Sequence, residues 1–181
     1  MTTHQRLDAA LSASDLEMNA REVEAFFLGG LSAISPMKLP KALSELFLED
    51  TKVPVTFESA DAKKQITDVL SVLWKELEKN LEARREKLLV IDGADLKTEI
   101  TQLGRLGDFF LMGFTLAGES VDDRDDEAGE LLDELEDHLL LFDEWVADGE
   151  SRLDQATWTE EGQKYRRELA ELWGELCEAL A

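Results

Sequence analysis

The side chains that could perform acid–base or nucleophilic chemistry are few in this sequence. Its 181 residues include one cysteine, Cys177, and two histidines, His4 and His138. A catalytic cysteine needs a neighbour that stabilises its thiolate, whereas Cys177 lies between Glu175 and Glu178, which disfavour the anion. Its place near the apolar face of the last predicted helix favours a small buried side chain. No serine stands in a nucleophile-elbow pattern, and no glycine loop precedes a phosphate-binding lysine. We therefore predict a protein that is not an enzyme.

Metal chemistry would need carboxylates and histidines at ligand spacing. Neither histidine has a glutamate three residues before it. Glu134 lies one helical turn before His138, and the two together would supply only two ligands. The spacing of a calcium loop can be tested on Asp123, Asp125, Glu127 and Glu134. The glycine that such a loop requires at its sixth position is replaced by Ala128. The acidic run is better explained as a helix N-terminus, where carboxylates complement the macrodipole. We expect no metal and no cofactor.

The strongest compositional signal is acidity. The formal net charge is −22, and residues 119–150 contain fifteen Asp or Glu and one Arg, hence −14 of that total. Nucleic acids and anionic lipids are bound through basic patches, so direct binding to either is disfavoured. An acidic surface attracts basic proteins, but it is also typical of a solvated helix face. The candidate partner-binding residues are Asp122, Asp123, Asp125, Asp126, Glu130, Asp133, Glu134, Asp137 and, on a following loop, the aromatic anchor Trp145.

The elements that position these residues are predicted to be helices. Leu, Ala, Glu, Asp and Lys dominate, and β-branched residues are scarce. Asn19 and Glu22 form a capping box, and Ser59 can cap a long helix. Apolar spacing predicts about seven helices: 5–12, 20–32, 41–48, a fourth from 60 to about 88, 99–117, a sixth that ends at 146–148, and a last one capped by Thr157. We expect one all-α domain over residues 1–181, a compact bundle or array, with residues 1–15 as a mobile N-terminus.

Two of these helices contain one pattern, Phe-Phe-Leu-x-Gly. Its residues are Phe26, Phe27 and Gly30 in one copy and Phe109, Phe110 and Gly113 in the other. Adjacent Phe and Leu side chains cover most of a helix circumference, so each helix should be surrounded by others. Each glycine lies one turn from its aromatic pair, where a second backbone can approach. We predict two central helices that cross near their glycines, with a ligand cleft as the functional alternative. The longest apolar stretch is too short for a membrane anchor.

The same residues resemble the bacterial YecA/YgfB-like family. The segment NAREVEAFFLGGL is similar to the family's form Asn-Ala-x-Glu-x-His-Gly-Phe-Leu-x-Gly through Asn19, Ala20, Glu22, Phe26, Phe27 and Gly29. Glu24 stands where His is usual, and Ala25 stands where Gly is usual. The segment LGDFFLMGFTLAGE is similar to the second motif, Trp-x-x-x-Phe-Leu-x-Gly-x-x-Leu-Ala, through Phe110, Leu111, Gly113, Leu116 and Ala117, with Leu106 in place of Trp.

This resemblance covers about residues 15–181 and implies an all-helical accessory protein that binds other proteins, regulators of transcription among them. Longer members carry a Cys-rich zinc motif that is absent from this sequence, so the zinc function is not carried over. We predict a non-enzymatic accessory or regulatory protein that binds a basic protein partner through its acidic face. The single cysteine and the lack of a secretory leader indicate the cytoplasm. The alternatives are a nucleic-acid mimic that blocks a DNA- or RNA-binding protein and a small-ligand-binding bundle. A homodimer remains open.

Overall fold

The fold is described by a computed structural model over residues 1–49, 51–90, 95–118, 126–152 and 155–181, with backbone alone for 141–152 and 155–156. Within these ranges the protein is all-α, as predicted, and its only strand-like feature is an isolated bridge between Ser14 and Phe57. The helices are α1 (Thr3–Leu11), α2 (Ala20–Ser32), α3 (Leu39–Leu46), α4 (Ala60–Lys79), α5 (Leu81–Arg85), α6 (Leu96–Leu116), α7 (Glu127–Arg152) and α8 (Gln155–Ala179). None of the described helices is long and apolar enough to cross a membrane.

Helix starts follow the capping residues of the sequence. The predicted capping box is confirmed: the Asn19 side chain accepts from the N–H groups of Arg21 and Glu22, and Glu22 accepts from the Asn19 N–H. The Ser59 hydroxyl accepts from the Ala62 N–H at 3.0 Å and starts α4. Asp95 was not recognised as a cap, and α6 therefore begins three residues earlier than predicted.

The cap at Asp95 also has an electrostatic consequence. The Thr98 hydroxyl and N–H both donate to the Asp95 carboxylate, and these hydrogen bonds lower the pKa of that carboxyl below its ordinary value. Stability from this cap is therefore present above the ordinary pKa of Asp and is lost as the pH falls through the lowered pKa.

Three predicted helix boundaries were wrong. The long fourth helix ends at Lys79 because Asn80 leaves helical geometry, with φ −130° and ψ 34°, and the short α5 follows. The sixth predicted helix, which is α7, continues to Arg152, past the end predicted at 146–148. The last helix begins at Gln155 and is not capped by Thr157. Eight helices are therefore described where about seven were predicted.

The two central helices cross at glycines, as predicted, but with a different register. A Cβ built on Gly29 would overlap the carbonyl oxygen of Phe110 and lie 2.8 Å from its carbonyl carbon. A Cβ built on Gly113 would meet the backbone carbonyl of Phe26 in the same way. Gly29, and not Gly30, is therefore the glycine equivalent to Gly113. The repeat therefore pairs Phe26 with Phe110, and the two glycines make reciprocal contacts where α2 crosses α6.

Each central helix packs an aromatic ring against a tryptophan of an outer helix. The Phe27 and Trp74 ring centroids are 5.0 Å apart with edge-to-face geometry, which joins α2 to α4. The Phe110 and Trp173 centroids are 4.9 Å apart with the same geometry, which joins α6 to α8. Such pairs contribute about 0.5–1.5 kcal/mol beyond the area that they bury. Both Trp74 and Trp173 are buried.

The prediction that both central helices are surrounded holds for one of them only. In α2 every residue but Arg21 is buried. In α6, Phe110, Gly113 and Phe114 are buried, whereas Phe109 is half-buried and Met112 is 40% exposed. The space beside Gly30 is filled by Met37, 3.2 Å from a Cβ built there, which argues against a ligand cleft at this crossing. The crossing thus leaves one side of α6 exposed.

Candidate functional site

The acidic residues of α7 are arranged by the burial of its leucines. Leu132, Leu135 and Leu139 face the core with at most 5% exposure. The carboxylates at the complementary positions, Glu130, Asp133, Glu134 and Asp137, are exposed and follow one another by three or four residues. We call these four residues the acidic face. Asp126 lies directly before the helix, where its Oδ1 accepts from the Gly129 N–H at 3.1 Å.

The acidic face has no cationic partner among the described side chains. None of its four carboxylates makes an ion pair with a basic side chain in the described part of the chain. Carboxylates elsewhere do make such pairs: Glu22 lies 2.6 Å from Arg105, and Glu99 lies 3.1 Å from Arg166. Among the described side chains, Arg105 and Arg166 thus pair with carboxylates outside the acidic face.

The other predicted contact residues have different outcomes. Asp122, Asp123 and Asp125 lie outside the described residues. Trp145 was predicted on a loop, but it lies within α7, where the backbone alone is described. Trp158 is buried in α8.

His138 takes part in a contact between α7 and α8. Its carbonyl oxygen accepts from the Tyr165 hydroxyl at 2.7 Å, and the two ring centroids are 5.5 Å apart. The nearest acidic partner is Glu168, at 4.0 Å, and not Glu134. Within the described ranges no three His, Cys, Asp or Glu side chains cluster in a way that could hold a metal ion. His138 thus contributes to the packing of α7 against α8.

A second charged cluster was not expected from the sequence. His4 Nε2 lies 2.8 Å from Glu24 Oε2, and Arg84 Nη1 lies 3.2 Å from Glu24 Oε1. The Glu24 side chain is 8% exposed, and Arg84 also approaches Glu76 at 3.6 Å. A His–Glu pair could serve acid–base chemistry, but the hydroxyl next to it, that of Thr3, donates to Glu76. The cluster ties α1 to α2, α4 and α5, and the predicted mobility of residues 1–15 stays a prediction.

Cys177 behaves as a buried side chain. It is 6% exposed, and burial raises the pKa of its thiol to about 11, against a smaller lowering by Arg85. The carboxylate that contributes to the increase is Glu86, directly after α5, whereas the sequence had suggested Glu175 and Glu178. The thiol is neutral at physiological pH, which disfavours a role as nucleophile.

The thiol of the native protein should therefore react slowly with an aromatic disulfide reagent at about pH 8. With a pKa of about 11, only about one thiol in a thousand is ionised there, so we expect a rate at least about a hundredfold below that of the urea-unfolded chain. Absorbance of the released thiolate measures both rates. A Ser12→Cys variant, which adds an exposed thiol, supplies the control. Equal rates for Cys177 in the native and unfolded chains would contradict the assigned burial and pKa.

Sequence reasoning missed the exposed apolar residues that accompany the acidic face. Met112 of α6 and Leu140 of α7 are 40% and 62% exposed. A signal was present, because the run Leu139-Leu140-Leu141 cannot point all three side chains to one face of a helix.

Comparisons with protein-family models, with curated proteins and with solved structures found no match, so the function must be argued from these residues alone.

Proposed function

We propose that this protein is a non-enzymatic interaction module, of accessory or regulatory type, that binds a basic protein partner through the acidic face of α7. The observation that carries the proposal is the set of exposed carboxylates without a cationic partner in the described part of the chain. The resemblance to YecA/YgfB-like proteins and a cytoplasmic location belong to the same proposal.

The arrangement of the acidic face costs stability in the free protein. Glu130 precedes both Asp133 and Glu134 by three or four residues, and Asp137 follows them at the same spacing. Like charges at this spacing destabilise a helix by about 0.2–0.5 kcal/mol per pair. A partner that presents lysines or arginines would remove this repulsion on binding. The acidic face thus favours a basic partner over a neutral one.

The same charges would act before contact is made. The net charge of −22 attracts a basic protein over a distance of about one Debye length, which is about 8 Å at physiological salt. Complementary potentials raise the association rate and exclude acidic competitors. Trp145, on the same helix, remains a predicted anchor of the complex.

Neutralising the acidic face should abolish capture of the partner. The variant carries Glu130→Gln, Asp133→Asn, Glu134→Gln and Asp137→Asn. A matched control removes four exposed charges elsewhere through Glu17→Gln, Glu78→Gln, Glu171→Gln and Glu175→Gln. Because only the first set changes the proposed surface, we expect the wild type and the control to capture the same basic protein from the organism's own cells, and the acidic-face variant to lose it. Mass spectrometry of the captured proteins gives the readout.

Salt provides a second arm of this experiment. Raising the salt from about 50 mM to about 300 mM shortens the Debye length about twofold and should release the partner. Capture that persists at high salt, or that is equal for both charge variants, would contradict a role for the acidic face. Displacement of the partner by duplex DNA would indicate instead a nucleic-acid mimic.

A further inference from the structure

An apolar groove runs between α6 and α7, next to the acidic face. Its volume is about 470 Å³, and its apolar lining consists of Leu111, Met112, Leu116, Leu139 and Leu140. On α6 the lining residues recur at the spacing of one helix face. On α7, Leu139 packs on Gly107 of α6. A Cβ built on Gly107 would lie only 2.8 Å from Cδ2 of Leu139. The missing Cβ of Gly107 thus brings the two helices together, and the groove lies along their contact.

The outer part of this groove is exposed. Leu140 is 62% exposed and Met112 is 40% exposed, although both are large apolar side chains. Covering these side chains removes apolar surface from water, so a partner that covered both would gain appreciable affinity. Methionine also adapts its shape to different ligand surfaces. These two residues are the natural anchors of a contact.

The rim of the groove is acidic. Glu136 of α7 lines it, as does Asp108 of α6, which already makes an interaction within the protein. Glu136 and Asp137 precede Leu140 by four and three residues, so both lie within one turn of the most exposed apolar side chain. The groove is therefore apolar along its floor and negatively charged along its edge, and it continues into the acidic face.

We propose that this groove binds an amphipathic helix of the partner protein, with an apolar stripe against Met112 and Leu140 and lysines or arginines against the rim. This inference rests on the proposed function and names the element through which a basic partner would dock. The α6 lining runs from Asp108 to Leu116, a rise of about 12 Å, which fits the anchors of about two turns of a docked helix. Side chains of that helix can pack into the furrow between α6 and α7 as ridges do in a helical protein.

Charge selects this occupant over the alternatives. A second copy of the chain would bring two acidic rims together, each on a molecule of net charge −22. A lipid surface of anionic headgroups would be repelled by the same carboxylates. The basic amphipathic helix is the one occupant that complements both the apolar floor and the acidic rim.

Binding of designed peptides to the full chain tests the groove. The probe is a fluorescein-labelled peptide of about 18 residues, long enough for helix formation, with leucines on one helical face and lysines and alanines elsewhere. The control peptide has the same composition but distributes its leucines around the helix. We expect the amphipathic peptide to bind at least about tenfold more tightly by fluorescence anisotropy, because only its leucines can enter the groove together.

Protein variants separate the groove from the acidic face. Met112→Ser with Leu140→Ser should weaken binding of the amphipathic peptide about tenfold, whereas Val53→Ser with Val72→Ser, an exposed apolar pair elsewhere, should leave it unchanged. All four residues are exposed, so folding should be retained, and circular dichroism checks this.

The outcomes distinguish the two proposals. The groove proposal is wrong if the Met112→Ser, Leu140→Ser variant binds the amphipathic peptide as tightly as the wild type does, and the control peptide binds the wild type equally tightly. If the acidic-face variant loses binding in the same experiments, the proposal for the acidic face stands. If none of these changes matters, both proposals fail. A homodimer in sedimentation experiments that the two groove substitutions dissociate would assign the groove to a second copy and overturn the helix-docking inference.

Discussion

Replacing Gly113 with alanine should lower the free energy of unfolding by about 3 kcal/mol, because the added Cβ would overlap the backbone carbonyl of Phe26. Alanine favours a helix over glycine by about 1 kcal/mol, so the clash has to exceed that gain. Backbone atoms of α2 cannot rotate away as a side chain would. The two central helices must move apart, and Phe26 and Phe110 would lose contacts in the buried core. Urea denaturation monitored by tryptophan fluorescence measures the loss.

A graded series of glycine substitutions makes this prediction specific. Gly29→Ala should cost about as much as Gly113→Ala, since its Cβ meets the Phe110 carbonyl. Gly30→Ala should cost less, because its nearest neighbours belong to the flexible side chain of Met37. Gly174→Ala should stabilise the protein by up to about 1 kcal/mol, because nothing lies within 4 Å of a Cβ there. Equal effects at Gly113 and Gly174 would show that the crossing is looser than described.

The central crossing is also the part of the fold that the sequence predicted best. The repeated aromatic pattern and the glycines one turn away placed α2 and α6 at the centre, and the Asn19 capping box marked the first residue of α2. The register was missed by one residue, because two glycines follow Phe27 and the sequence does not say which one meets the other helix. Only the three-dimensional contact of Gly29 with Phe110 decides this.

The surface was harder to predict than the core. The alternation of leucines with carboxylates in α7 correctly predicted that four carboxylates are exposed, namely Glu130, Asp133, Glu134 and Asp137. The groove was missed because exposure of Met112 depends on which elements cover α6, and helical periodicity shows a face without showing its neighbours. For the same reason Glu24 and His4, which are remote in sequence, could not be paired in advance.

The scaffold and the proposed binding site meet in α6. Phe110 and Gly113 face the crossing with α2, while Leu111, Met112 and Leu116 line the groove with α7. A substitution at the crossing that shifts α6 should therefore also alter the groove. The glycines hold in place the helix on which the proposed contact surface depends.

A buried arginine is the least expected feature of the core. Arg85 is 1% exposed, and none of the described carboxylates forms an ion pair with it. Its guanidinium donates to the Ser32 hydroxyl at 3.2 Å and to the Cys177 carbonyl at 3.3 Å, while its own carbonyl accepts from Trp173 Nε1 at 3.0 Å. Arg85 thus joins α5 to α2 and α8. Burial removes the charged guanidinium from water, and only neutral acceptors replace that water. This desolvation lowers the stability of the folded protein.

Arg85→Ala should lower the free energy of unfolding by about 3 kcal/mol, because the long side chain would leave a cavity between three helices. Arg85→Met should recover most of that loss, since methionine fills much of the space without a charge to desolvate. Arg167→Ala, at an exposed position of α8, should change stability by at most about 0.5 kcal/mol and serves as the control. Urea denaturation compares the four proteins. If Arg85→Met is as unstable as Arg85→Ala, the hydrogen bonds of the guanidinium, and not its volume, hold α5 against α2 and α8.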